Sequence, residues 1–208
     1  MQWRVLVPIK EAASAKTRLK GATRRLGDHA ELVRAIQLDT LSAALGAAES
    51  PLVGGVFVVT TQSRTHFAAG IEVLHDPGGD LNAALTAGAH ELNQRFPDDG
   101  VVAMVADLPS LRGEDLLAVL ADAPLAGRAF VRDADGTGTT LLTAAGLGLQ
   151  PLFGVGSAQR HALSGAVELL ATPSVRADVD SAADLRRCLS LGVGPATGRM
   201  AASLATPA

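Results

Sequence analysis

The chain has 208 residues, of which 48% are hydrophobic and 19% charged, and this composition suits one folded domain and excludes a disordered chain. Its formal net charge of −3 argues against nonspecific attraction to nucleic acid or to an anionic membrane surface. A single cysteine, Cys188, excludes an internal disulfide and a cysteine-based metal cluster.

Short apolar runs alternate with helical patterns along most of the chain. The runs that predict strands are RVLVPI (4–9), GGVFVVTT (54–61), IEVLHD (71–76), GVVAMVADLP (100–109), RAFVRD (128–133) and TTLLTA (139–144). Helices are predicted after Asp28 as N-cap, from about Leu81 to Gln94, near residues 110–121, and from Ser181, with Asp184 completing a capping box. We expect residues 1–191 to form one domain, and the Gly-, Pro- and Ala-rich residues 192–208 to form a flexible tail.

The N-terminal segment MQWRVLVPIK has an apolar run that is too short for a signal sequence, and no stretch approaches the length of a membrane span. We therefore expect a cytoplasmic protein with no membrane and no nucleic-acid partner. Strands that alternate with helices predict an α/β sheet with parallel strands at its centre. Ligands of such sheets bind outside the carboxyl ends of the strands.

A basic loop, KEAASAKTRLKGATRRLG, follows the first predicted strand. Lys10, Lys16 and Arg18 lie in it, at the place where a sheet of this kind binds ligands, so the loop is suited to hold phosphates. A solvated basic loop is the alternative. No phosphate-binding GxxxxGK[ST] or dinucleotide-binding GxGxxG motif is present, so neither of those folds is supported.

Acidic residues follow two other apolar segments. Asp107 comes after the fourth predicted strand, and Asp178 and Asp180 precede the last predicted helix. Carboxylates at the edge of a sheet suit Mg²⁺, which is bound by one or two carboxylates together with substrate phosphates. A helix N-cap at Asp107 and turn chemistry at Asp180 are the alternatives.

Hydroxyls and glycines are concentrated in VRDADGTGTTLLTA and in PLFGVGSAQRH. Thr139 or Thr140, with the backbone around Gly154 and a helix that begins at Ser157, would suit a phosphate or carboxylate group of a small molecule. Arg160 and His161 lie in the first turn of that helix. The acids in DADG could bind a metal, but they are more typical of a turn.

Together these segments resemble the CofC/FbiD guanylyltransferases of coenzyme F-420 biosynthesis. The matching pieces occur in the family's order between Val7 and about Leu185: VPIKEAASAKTRL, DLNAAL, ADLPSL, DADGTGTTLL, FGVGSAQRH and DVDSAADL. Thr17, Ser181 and Asp80 depart from the expected residues. The resemblance implies a Rossmann-like mixed sheet of the glycosyltransferase-A and nucleotidyltransferase type. A related molybdopterin-type nucleotidyltransferase would show LAGGxSxRMG near its start, which is absent.

The resemblance implies that GMP passes from GTP to phosphoenolpyruvate, or alternatively to 2-phospho-L-lactate or 3-phosphoglycerate, and that pyrophosphate is released. It implies the following roles: Asp107, Lys16 and Arg18 in catalysis, Asp107 and Asp180 in Mg²⁺ binding, Lys10, Lys16 and Asn82 in nucleotide binding, and Thr139, Gly154 and Ser157 in acceptor binding. A homodimer, contact with the downstream transferase that consumes the product, and the choice between Asp178 and Asp180 stay open. A catalytically silent nucleotide-binding regulatory protein is the alternative of another class.

Overall fold

The computed structural model describes residues 1–10 and 26–205. Its centre is a seven-stranded mixed sheet with the strand order β3-β2-β1-β4-β6-β5-β7. The strands are β1 (Trp3–Pro8), β2 (Val53–Thr60), β3 (Ile71–His75), β4 (Gly100–Met104), β5 (Gly127–Arg132), β6 (Thr139–Ala145) and β7 (Val167–Glu168). Strands β3, β2, β1 and β4 are mutually parallel, whereas β6 runs antiparallel to both β4 and β5. The predicted α/β sheet with a parallel centre is therefore confirmed.

Helices cover both faces of this sheet. They are α1 (Leu26–Ala47), α2 (Leu81–Arg95), α3 (Gly113–Asp122), α4 (Ser157–Leu163), α5 (Pro173–Arg176), α6 (Ala182–Leu191) and α7 (Pro195–Ala205). Helix α1 begins before Asp28, so this residue lies in the first turn and is not the N-cap. The capping box predicted at Ser181 is confirmed, because Ser181 and Asp184 each bind the other's backbone N–H.

The core has two layers because successive residues of a strand point to opposite faces of a sheet. In β1, Val5 and Val7 pack with Leu41 of α1 and Leu116 of α3, whereas Leu6 packs on the other face with Leu85 of α2. All six side chains are at most 5% exposed. Burial on both faces accounts for the nearly continuous apolar sequence of the central strands. No helix among residues 1–10 and 26–205 has the length and apolar character that crossing a membrane requires.

The expectation of a flexible tail from residue 192 is not met, because residues 195–205 form α7 and this helix packs against α1. The carboxylate of Asp39 in α1 accepts hydrogen bonds from the backbone N–H groups of Ala196 (3.1 Å) and Thr197 (2.7 Å), and Asp39 is itself buried. A side chain at Gly194 would lie 2.3 Å from the Asp39 carboxyl carbon, so glycine permits this approach. Asp39 thus caps the start of α7 from a distant part of the chain.

Replacing Asp39 by alanine should release the N-terminus of α7. Loss of two hydrogen bonds to a charged acceptor should lower the free energy of unfolding by about 1–3 kcal/mol in urea denaturation. Amide hydrogen exchange in residues 196–205 should accelerate at the same time. Glu31→Ala, at an exposed position of α1, is the matched control and should change stability by less than about 0.5 kcal/mol. Unchanged exchange in α7 of the Asp39→Ala protein would contradict the capping role.

Candidate functional site

Asp107 lies just past the carboxyl end of β4, in a loop that other elements hold by hydrogen bonds to its backbone. The buried Thr40 hydroxyl of α1 accepts from the N–H of Leu108 (3.0 Å) and donates to the carbonyl of Ile36 (2.9 Å). One residue later in the loop, the carbonyl of Pro109 accepts from the N–H of Gly194 (2.9 Å). The position of the Asp107 carboxylate is therefore set by helix α1 and by the C-terminal segment together.

Asp178 and Asp180 lie on either side of Val179, whose side chain is completely buried. The N–H of Val179 donates to the carbonyl of Asp107 (3.1 Å), so the two loops run side by side. Oxygen atoms of Asp107, Asp178 and Asp180 lie within 4.8 Å of one another. Three carboxylates so close together are the hard oxygen ligands that Mg²⁺ prefers, and the cluster fits a divalent cation.

Two alternative roles for these acids can be compared with the geometry. Asp107 is not a helix N-cap, because α3 begins at Gly113 with Arg112 at the capping position. The N-cap of α6 is Ser181, so Asp180 precedes the cap, and its backbone N–H donates to the Asp184 carboxylate (3.3 Å). Asp178, which the sequence left as an alternative to Asp180, joins the same cluster.

The DADGTG segment is a turn, as its sequence favoured. The nearly buried Asp133 carboxylate accepts from the N–H groups of Thr137 (2.9 Å) and Gly138 (2.8 Å). Asp135 pairs instead with Arg187 of α6 (2.9 Å). This turn fixes the start of β6, where Thr139 is 6% exposed and hydrogen-bonds His161, while the Thr140 side chain is fully buried.

The FGVGS segment enters α4 through two glycines with left-handed backbone. Gly154 has φ 118°, a backbone conformation that favours glycine. Ser157 is the first residue of α4 and is 1% exposed. The start of a helix is expected to offer unpaired backbone N–H groups to an anion. For two residues of α4 this expectation is wrong. The N–H of Ser157 donates to Gly154 (3.0 Å), and the N–H of Ala158 donates to Thr137 (3.1 Å).

Arg160 and His161 of α4 both have protein partners. Arg160 donates to the carbonyls of Leu152 (2.9 Å) and Phe153 (3.2 Å), and in this way holds the preceding loop. His161 is completely buried, and its Nε2 accepts from the N–H of Leu152 (2.9 Å) while its Nδ1 contacts the Thr139 hydroxyl (2.9 Å). Both side chains therefore organise the loop and the strand next to it.

Two residues assigned to the nucleotide have protein partners in the structure. The Asn82 carboxamide donates to the carbonyl of Phe153 (3.1 Å) and accepts from the N–H of the same residue (2.8 Å). Lys10 pairs with the buried carboxylate of Asp76 (2.6 Å) in the loop after β3. Burial would raise the pKa of Asp76, but the Lys10 ammonium and the N–H of Gly78 together hold it below its usual value. Asp80, one of the departures from the family pattern, is the N-cap of α2.

Lys16 and Arg18 lie outside the described residues, so their predicted roles stay predictions. Arg176 is a residue that the sequence did not single out. Its guanidinium donates to the carbonyls of Arg132 (3.1 Å) and Asp133 (2.9 Å), and it lies two positions before Asp178. Arg176 therefore ties the acidic cluster to the turn that carries Thr139. A single arginine at the start of RADVD (176–180) gives no signal in the sequence for this long-range contact.

Comparison with known proteins places these features in a family. The family described as "Guanylyl transferase CofC like" matches residues 3–189. Phosphoenolpyruvate guanylyltransferase of Geodermatophilus obscurus is 47% identical over 99% of this chain and 96% of its own, and that of Streptomyces coelicolor is 48% identical over 98% of each. Among solved structures, a nucleotidyl transferase from Methanothermobacter has a TM-score of 0.60 at 18% identity, covering 91% of this chain and 97% of its own. A 4-diphosphocytidyl-2C-methyl-D-erythritol synthase has a TM-score of 0.57 at 16% identity, covering 91% and 97%. The two solved structures support the nucleotidyltransferase fold alone.

The burial of His161 predicts a dependence of stability on pH. Burial, reinforced by the nearby charges of Arg160 and Arg128, lowers the pKa of His161 from 6.5 to about 4. Between these two values the unfolded chain binds more protons than the folded chain, so stability falls as the pH falls from 6.5 towards 4. Above pH 6.5 this residue should add no further dependence.

We expect His161 to account for a loss of about 2 kcal/mol in the free energy of unfolding between pH 7 and pH 5. Urea denaturation at the two pH values measures the loss. His161→Gln, which has no proton to gain in this range, should lack that component while keeping the dependence that arises from the carboxylates. An identical pH dependence in the two proteins would contradict a buried, neutral His161.

Proposed function

The chain belongs to the CofC-like family of guanylyl transferases, and from that premise we propose that it transfers GMP from GTP to phosphoenolpyruvate. The products are enolpyruvyl-diphospho-5′-guanosine and pyrophosphate. The choice of acceptor follows the names of relatives that are 47% and 48% identical over nearly the whole chain. The single structural observation that carries the proposal is the meeting of Asp107, Asp178 and Asp180 within 4.8 Å at the sheet edge where ligands of this fold class bind.

The reaction needs little acid–base chemistry from the protein. A phosphate monoester with a second pKa near about 6 is largely a dianion at neutral pH. One of its oxygens attacks the α-phosphorus of GTP, the bond from that phosphorus to the bridging oxygen of the β-phosphate breaks, and pyrophosphate leaves with the electron pair. What the chain must supply is alignment of the two substrates and neutralisation of their combined negative charge.

Asp107, Asp178 and Asp180 are the residues that would hold Mg²⁺ in this proposal. When bound, the ion supplies positive charge to the phosphates of the substrates and offsets their mutual repulsion. Two of these acids come from the loop before α6, so the position of that loop relative to β4 matters for activity. The hydrogen bond from Val179 to Asp107 and the contacts of Arg176 fix that position.

In this proposal the nucleotide and the acceptor contact different residues. Lys16 and Arg18 of the basic loop would neutralise the triphosphate. Lys10 and Asn82 would contact the nucleotide, and their protein partners lie in the loop after β3 and in the loop before α4. Thr139 and Ser157, whose side chains lie on β6 and at the start of α4, would contact the acceptor, with Gly154 shaping the backbone between them.

The wider setting is part of the proposal. We place the reaction in coenzyme F-420 biosynthesis, in the cytoplasm, with the product passed to the transferase that consumes it. A homodimer is compatible with this role and is tested by light scattering on the purified protein. A chain that binds GTP but catalyses nothing would represent the regulatory alternative.

A direct assay decides between these readings. The purified protein is incubated with GTP, Mg²⁺ and one of three acceptors, namely phosphoenolpyruvate, 2-phospho-L-lactate and 3-phosphoglycerate, and the release of pyrophosphate and the mass of the product are measured. We expect the highest kcat/KM with phosphoenolpyruvate. GTP binding without pyrophosphate release from any acceptor would overturn the proposal in favour of the silent alternative.

Variants of the acidic cluster test the proposed role of the metal. Asp107→Asn should lower kcat/KM by about 100-fold or more, because charge stabilisation by a bound metal is worth several kcal/mol. The same variant should abolish the rise in melting temperature that Mg²⁺ gives the wild-type protein. Asp98→Asn, at an exposed position just before the start of β4, is the matched control and should behave as wild type. Near-normal turnover of Asp107→Asn at limiting Mg²⁺ would contradict the assignment. The losses of kcat/KM in Asp178→Asn and in Asp180→Asn, measured in parallel, show which of these two acids matters more.

A further inference from the structure

His161 joins the strand β6 to the loop before α4, and both carry residues that we propose to contact the acceptor. Its ring packs between Phe130 of β5, with centroids 5.9 Å apart, and Phe153, with centroids 5.3 Å apart in an edge-on arrangement. No part of the side chain reaches solvent. Both ring nitrogens nevertheless have polar partners, namely the N–H of Leu152 at Nε2 and the hydroxyl of Thr139 at Nδ1.

The partner at Nε2 decides where the proton of the ring is. A backbone N–H can only donate, so Nε2 must carry a lone pair and no hydrogen. The carbonyl of Leu152 is held in turn by the Arg160 guanidinium (2.9 Å), so both peptide units beside this residue have side-chain partners. Burial lowers the pKa of His161 to about 4, so the ring is neutral at physiological pH and its one proton is on Nδ1.

The partner at Nδ1 then has its direction set as well. The Nδ1–H group donates to the Thr139 hydroxyl oxygen at 2.9 Å. A hydroxyl has one proton and two lone pairs, and donation from His161 uses a lone pair. The proton of Thr139 is therefore left for another acceptor, and His161 is the one hydrogen-bond partner of this hydroxyl within residues 1–10 and 26–205.

We propose that His161 is a positioning residue that holds the Thr139 hydroxyl as a hydrogen-bond donor towards an anionic oxygen of the acceptor. The inference rests on the proposed function, because it takes the acceptor to lie beside Thr139. The donors then run in one direction, from Leu152 to His161, from His161 to Thr139, and from Thr139 to the anion, and each bond polarises the next. The opposite tautomer would turn a lone pair of Thr139 towards an anion that can only accept.

The tautomer can be read without turnover. In protein labelled with ¹⁵N-histidine, long-range proton–nitrogen correlation spectra distinguish a ring protonated at Nδ1 from one protonated at Nε2. The chain has five histidines, and the His161 signals are those missing from the spectrum of His161→Gln. We expect a neutral ring protonated at Nδ1 at pH 7. Protonation at Nε2 would overturn the inference.

Two substitutions of His161 separate positioning from packing. The amide nitrogen of asparagine is attached to Cγ, as Nδ1 is, so His161→Asn keeps a donor for Thr139 and loses the acceptor for Leu152. Glutamine carries its polar atoms one bond further out, as Nε2 is, so His161→Gln keeps an acceptor for Leu152 and loses the donor for Thr139. We expect His161→Gln to lower kcat/KM for the acceptor by about 10-fold or more with the KM for GTP nearly unchanged, and His161→Asn to retain most of the activity.

A purely structural role predicts the opposite order. Glutamine is closer in size to histidine and keeps the contact to the loop, so it would then be the better replacement, and the constants for both substrates would change together. That result would overturn the inference.

Substitutions of Thr139, alone and combined with His161→Gln, give a second test. Thr139→Val removes the donor and keeps the shape, so it should lose about 10-fold or more in acceptor kcat/KM, whereas Thr139→Ser should retain it. Thr139→Val should lower acceptor kcat/KM strongly in the wild-type background. In the His161→Gln background the same substitution should lower it much less, because the two residues act as one unit. Additive losses would contradict the coupling. An inactive wild-type protein would contradict the proposed function, and the tautomer would still be read by the spectra.

Discussion

One backbone hydrogen bond, from the N–H of Val179 to the carbonyl of Asp107, sets the geometry of the candidate site. Because the Val179 side chain is completely buried, the residues on either side of it project away from the core, and both are acids. Their carboxylates meet that of Asp107 within 4.8 Å. Like charges at such separations repel one another, and a bound cation relieves that repulsion. The burial of Val179 thus helps to bring together three carboxylates that repel one another.

Several polar side chains near β6 and α4 bind main-chain groups. Asn82 and Arg160 bind the main chain of the loop before α4, and Arg176 binds the main chain at the turn before β6. These loops carry the glycines and hydroxyls, and loops without such supports would not keep a fixed shape. Rigid positioning of groups that contact a substrate lowers the entropy lost when it binds. The supporting residues contribute to function through the shape of the backbone that they hold.

Much of the fold could be predicted from local pattern, and the site only in part. Each of the six apolar runs overlaps one of the strands β1 to β6. The position of Asp107 directly after the apolar residues 101–106 identified it as a residue at the edge of the sheet. The helical structure of residues 195–205 could not be predicted, because the carboxylate that accepts from its first turn belongs to Asp39, far away in the chain. The Gly- and Ala-rich composition of the segment is also typical of a tail. Alanine favours helix once such a cap and a packing surface are present. The roles of Arg160 and His161 were also beyond local pattern, because the sequence does not show that the Arg160 guanidinium binds backbone carbonyls or that the His161 ring is buried between Leu152 and Thr139.

The order in which the parts of the site occur along the chain has a consequence for synthesis. A growing polypeptide completes β1 to β6 once Ala145 has left the ribosome, and the two hydrophobic layers beside the parallel strands can form at that stage. The acidic cluster cannot form until residues 178–180 have followed, and Pro109 gains the contact from Gly194 later still. A nascent chain can therefore bury much of its core while its three acids are still apart, and they can meet only after Asp180 has emerged.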